Sequence, residues 1–170
     1  MNKIAILTNK RTEIIIFSVL LGAATLAPLI GNQFITGTIV NSCLLLAAAT
    51  LGIRAALLIG ILPSTIALAT GLLPAVLAPM IPFIILGNTI LVMVFDYLKR
   101  TNYWLGAVTG AVLKFGFLYA MISIVSDLII NKNIVSNVAY MMSWPQLVTA
   151  LAGSFAAFGI LYLKDKSGIH

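Results

Sequence analysis

Charge is what this chain has least of. Only 8% of its 170 residues are charged, four of them acidic, with a single histidine and a single cysteine. Soluble domains carry about 25% charged residues, so an ordinary water-soluble fold is excluded at the outset. Four acids leave no close carboxylate pair for acid–base chemistry. No Gly-x-Ser-x-Gly, His-Glu-x-x-His or phosphate-binding loop occurs, so neither hydrolytic catalysis nor ATP binding is supported, and the expectation is that the chain is not an enzyme. Cys43, alone in an apolar run, excludes an intramolecular disulfide and a cysteine-cluster metal site. The only histidine is His170, so no metal site and no cofactor is expected.

What is there is apolar: 61% of the residues are hydrophobic. A membrane helix needs roughly 20 apolar residues, so six crossings occupy about 120 and leave only short loops. The segment MNKIAILTNKRTEIIIFSVLLGAATLA has the outline of a signal peptide, but its apolar run continues to Ile30 and is read as a retained first span. The predicted spans are Ile14 to Ile30, Thr38 to Leu51, Ala55 to Gly71, Ile81 to Leu98, Trp104 to Ile130 and Trp144 to Leu163. Between the first two, GNQFITG (31–37) is a candidate extracytoplasmic loop, which leaves the second span short, so that it is either extended into that loop or shielded by neighbouring protein. Pro63 predicts a kink in the third. Pro74, Pro79 and Pro82 shape the turn into the fourth, and NKNIVSN (131–137) reads as a polar turn. The fold class is therefore an all-α polytopic bundle of six transmembrane helices, one domain over residues 1–170.

The net charge of +6 is distributed along the chain in a way that fits this map. Lys3, Lys10, Arg11, Arg54, Lys99, Arg100, Lys164 and Lys166 all fall on one side of six crossings, whereas the opposite loops carry only Lys132. The positive-inside rule then places both termini in the cytoplasm. Basic residues lie between apolar runs and form no stripe with interleaved aromatics, so no nucleic-acid partner is implied.

Helices in lipid associate through close packing and hydrogen bonds, which favours small residues at contacts. Ala23 with Ala27, Gly106 with Gly110, and Ala152 with Ala156 each place small residues on one helix face. Internal packing or docking to a separate membrane protein both account for such pairs.

Lys114 stands inside GAVTGAVLKFGFLYA, ten residues beyond Trp104. That is about 15 Å along a helix, near mid-depth in a bilayer. A charge there costs several kcal/mol unless it snorkels, meets water or finds a partner. Asp127 on the same span is about 20 Å away, too far for a direct pair. The readings are contact with an anionic or electron-rich ligand, a water-filled crevice, or a structural hydrogen bond. Asn32, Gln33, Thr36 and Thr38 cap or line an outward loop, and Asn41 and Asn88 either join helices or line a pocket. Tyr119, Tyr140, Trp144 and Gln146 complete an aromatic-walled pocket, or, for Trp144 and Tyr140, anchor the interface.

The six spans, the compact size, the Ala23/Ala27 pair and the passage GNQFITGTIVNS resemble the substrate-binding membrane component, or S-component, of energy-coupling factor transporters. The resemblance covers nearly the whole chain. It implies high-affinity binding of a small extracytoplasmic nutrient, a vitamin, vitamin precursor or related small molecule, anionic ones included. It also implies a transmembrane coupling protein and two cytoplasmic ATPase subunits as partners, alongside membrane lipid, in a prokaryotic plasma membrane. On this resemblance Ala23 and Ala27 face the coupling protein and residues 32–41 close over substrate. Asn32, Asn41, Asn88, Lys114, Tyr119 and Trp144 are then the pocket residues. No histidine-rich start is present, which disfavours a nickel or cobalt substrate. A stand-alone secondary carrier or channel is the alternative, ahead of an intramembrane enzyme or a structural membrane subunit.

Overall fold

A computed structural model describes residues 10–69, 75–126 and 139–167, and the turn predicted at 131–137, with Asp127 and Lys132, lies outside them. The described residues are helical with short connections and include no strand. Helix α1 (Lys10–Leu26) passes into a 3-10 turn (Ala27–Ile30). Pro28 has no N–H for the next helical bond, and Gly31 then takes a left-handed φ of 67° that turns the chain back. The Asn32 side chain caps α2 (Gln33–Thr50), accepting from the backbone N–H of Phe34 at 2.9 Å and Ile35 at 3.2 Å.

This corrects the expected loop. Residues 33–37 are the first helical turn, and only Gly31 and Asn32 lie between the 3-10 turn and α2. Of the two ways to accommodate a short second span, extension into the preceding segment is the one found, and the helix is 18 residues long. It ends where Gly52 adopts φ 92° and donates to the Ala47 carbonyl at 3.0 Å, closing the helix with a left-handed residue. Helix α3 (Ile53–Ala69) follows at once and continues through Pro63. A 3-10 segment (Ala75–Met80) leads into α4 (Ile81–Leu98), whose bounds match the expected span. After a turn, Asn102 caps α5 (Tyr103–Ser126), accepting from Trp104 at 2.8 Å and Leu105 at 3.2 Å. The last helix, α6, is Trp144–Ser167, with Pro145 in its first turn, where no N–H is needed.

Five of these helices are long and apolar enough to cross a membrane, and α3, at 17 residues, is shorter. The exterior carries many large apolar side chains. Val19, Leu29, Phe155 and Leu163 are each more than 60% exposed, a surface compatible with a multi-pass membrane protein.

Helix α2 is the axis of the bundle, with every residue from Asn41 to Ala48 buried, so it is enclosed on all sides. Its neighbours reach it through small residues. Gly37 of α2 faces Thr149 of α6, and Gly153 of α6 faces Asn41 of α2, so these two helices run in the same direction. Helix α4 shares that direction: Asn41 and Asn88 meet one lysine, and further along each helix Lys99 donates to the Ala48 carbonyl while also pairing with Asp96 at 2.7 Å. Helix α5 runs the opposite way, with Gly106 against Phe95, Gly110 against Leu91, and Leu118 against Gly87. Because α2 and α4 are parallel, the chain from Thr50 to Ile81 must return along the length of the bundle. Helix α3 makes that return.

The same directions gather charge. Lys10, Arg11, Arg54, Lys99, Arg100, Lys164 and Lys166 all lie at the end of the bundle where α2 terminates. Lys114 is the one other basic residue among the described residues.

Candidate functional site

Lys114 sits near the middle of α5 and is only 3% exposed. A helix turns 100° per residue, so Ala111 and Leu118, three before and four after it, share its face and are buried too. The Nζ donates to Asn41 Oδ1 at 2.7 Å and to Asn88 Oδ1 at 2.8 Å. Both amides are oriented from behind. The Asn88 Nδ2 donates to the Gly60 carbonyl at 3.2 Å, and the Asn41 Nδ2 donates to Thr149 Oγ1 at 3.4 Å, which in turn donates to the Gln146 carbonyl at 3.3 Å.

One lysine thus links α5 to α2 and α4 directly, and to α3 and α6 through the asparagines. Among the described residues no buried side-chain nitrogen or oxygen lacks a partner. Each member matters, because leaving a buried polar atom unpaired costs about 1–3 kcal/mol. Glycine makes the geometry reachable: a Cβ on Gly60 would meet the Asn88 Cβ at 3.4 Å, and one on Gly153 would come within 2.7 Å of the Asn41 Cβ.

The network forms the floor of a cavity of about 390 Å³. Val40, Ile59, Ile84 and Met142 supply apolar wall, and Gly31, Asn32, Gln33 and Gln146 surround it at the end opposite the basic cluster. There the Met141 carbonyl accepts from Gln33 Nε2 at 2.7 Å and Gln146 Nε2 at 3.0 Å, pinning the start of α2 to the segment before α6. Among the described lining residues none is acidic and none aromatic, and Lys114 is the only cation. No group of three or more potential metal ligands occurs among the described residues.

Of the residues singled out in the sequence, Asn32, Asn41, Asn88 and Lys114 all line this cavity. Tyr119 and Trp144 do not. Tyr119 follows Lys114 by five residues, about 140° around the helix, and is 56% exposed beside Phe115. Trp144 is 49% exposed and packs its ring on Phe34 and Tyr140 at 5.5 and 5.8 Å between centroids. Ala23 is exposed on α1, whereas Ala27 is 3% exposed and its carbonyl accepts the Thr36 hydroxyl at 2.9 Å. The two alanines therefore do not form one outward patch.

Thr149, Gly60 and Gly153 escaped the reading of site residues. The signal for two of them was present as a repeated four-residue step, Gly37 to Asn41 on α2 and Thr149 to Gly153 on α6, in which glycine on one helix meets the polar residue of the other. No family model, curated protein or solved structure matches the chain.

Proposed function

We propose that this protein is the substrate-binding component of a membrane uptake system, of the kind the S-components of energy-coupling factor transporters represent. One observation carries the reading. A buried amine without an acidic partner among the described residues sits at the floor of a polar-based, apolar-walled cavity, an arrangement that orients a small molecule. In this reading all six helices cross the bilayer, since α3 returns the chain between the parallel helices α2 and α4. The basic end is cytoplasmic by the positive-inside rule, with both termini there, and the cavity lies in the exterior half.

The same reading assigns energy coupling to other chains, a transmembrane coupling protein and a pair of ATPases in a prokaryotic plasma membrane. Nothing in this sequence resembles a phosphate-binding loop, and the ligand is a vitamin-like nutrient taken from outside.

The test is native mass spectrometry of the protein purified with its lipids and metabolites. A small molecule released from the wild type and reduced in the folded fraction of Lys114→Met supports the proposal. Substrate accumulation by this chain alone in liposomes would replace it with a secondary carrier.

A further inference from the structure

The chemistry of the cavity narrows its ligand, on the premise that the cavity is a substrate site. An ammonium has three N–H donors, and Lys114 spends two on Asn41 and Asn88. Each asparagine nitrogen uses one of its two N–H donors, Asn88 on the Gly60 carbonyl and Asn41 on the Thr149 hydroxyl, which itself donates to the Gln146 carbonyl, so what the asparagines leave is neutral amide N–H. The floor therefore offers a ligand one charged donor, the third N–H of Lys114.

Three exclusions follow. A cationic ligand meets a like charge and, among the described lining residues, no carboxylate. A dianion such as a phosphate ester brings two charges to one ammonium, beside two asparagine oxygens that face the same nitrogen. A flat aromatic ligand lacks a ring to stack on, since the described walls are Val40, Ile59, Ile84, Met142 and proline. The volume of about 390 Å³ stands at the small end of the roughly 300–1,000 Å³ typical of ligand sites.

We infer that the site selects a compact, water-soluble aliphatic monocarboxylate, with its carboxylate on Lys114 and its chain along the Ile59 and Ile84 walls. The anion supplies the charge partner that the described residues around Lys114 lack. Charge-assisted hydrogen bonds of this kind are roughly twice as strong as neutral ones.

The experiment follows the thermal unfolding midpoint of the protein in lipid nanodiscs against hexanoate, hexanol, hexylammonium and hexyl phosphate. Saturable stabilisation by hexanoate alone is the expected result. Lys114→Met removes the donor. Asn88→Asp keeps the side-chain shape and the lysine and places a carboxylate on the ammonium, while giving up the hydrogen bond to the Gly60 carbonyl, and in its folded fraction it should weaken hexanoate by about tenfold or more.

Equal stabilisation by hexanol or hexylammonium, stronger stabilisation by hexyl phosphate, or unchanged hexanoate binding in folded Asn88→Asp overturns the inference while leaving a binding component in place. Absence of stabilisation by any probe, together with a purified protein that releases no small molecule, overturns both.

Discussion

Gly153 and Asn41 lie so close that a Cβ on the glycine would fall 2.7 Å from the Cβ of the asparagine, 2.9 Å from the Ser42 nitrogen and 3.0 Å from the Thr38 oxygen. Two of these three atoms are backbone, which no rotamer change can move. The contact fixes the separation of α2 and α6, and with it the position of the Asn41 amide under Lys114. The Ser42 hydroxyl lies in the same seam, its single proton shared between the Thr38 carbonyl at 2.8 Å and the Gly153 carbonyl at 3.1 Å.

Gly153→Ala is therefore expected to push the two helices apart. Overpacking costs about 1–3 kcal/mol, and a lower unfolding midpoint in detergent checks it. Gly159→Ala, with nothing within 4 Å of the added carbon, is the control on the same helix and should leave stability nearly unchanged.

Removing the lysine should be costly for a different reason. In Lys114→Met the Asn41 and Asn88 oxygens keep their burial and lose their donor, which predicts a loss of about 2–6 kcal/mol from two unsatisfied acceptors. Adding Asn88→Leu to that variant removes one of them, so the double variant should be less destabilised than the sum of the single changes. A double-mutant cycle of unfolding free energies measures the coupling, and strict additivity would show that the three residues do not act as a unit.

How far this was legible from the sequence depends on the kind of signal. The helix order followed from apolar runs, and α4 was bounded correctly because Pro82 and Lys99 mark its ends. The start of α2 was open between a loop and a helix extended into it, because Thr36 and Gly37 weaken the apolar pattern while Asn32 to Gln33 suggests a loop. The asparagine was in fact a cap, and capping residues look like loop residues until the helix behind them is seen. Asn41, Asn88 and Lys114 were each conspicuous as polar residues in apolar runs. Their convergence was not, since the lysine is 73 residues from one asparagine and 26 from the other. Tyr119 was chosen by residue type, and counting its angle from Lys114 would have turned it outward.

Membrane topology is accessible to labelling because Cys43, the lone cysteine, is 4% exposed and shielded from reagents. In a Cys43→Ala background, Asn32→Cys is expected to react with an impermeant maleimide added to intact cells. Arg54→Cys, Arg100→Cys and Lys166→Cys should react only after permeabilisation, all being exposed positions at the basic end of the bundle. Labelling of positions 32 and 54 from the same side would show that α2 does not cross, and the six-span arrangement would fall with it.

The alanines of the first helix make the last prediction, because their different environments separate docking from folding. Ala23 is exposed, so Ala23→Leu adds bulk only to the outer face of α1 and should leave the unfolding midpoint within a degree or two. If a coupling protein packs there, that variant should fail to co-purify with its partner while retaining ligand binding. Ala27 is buried and its turn is tied to Thr36, so Ala27→Leu should instead destabilise the isolated chain by overpacking, about 1–3 kcal/mol, before any partner is involved. Unimpaired co-purification in Ala23→Leu would move the coupling surface away from this part of α1. Because stability and assembly are read on the same two variants, a loss of complex through misfolding cannot be mistaken for a loss of docking.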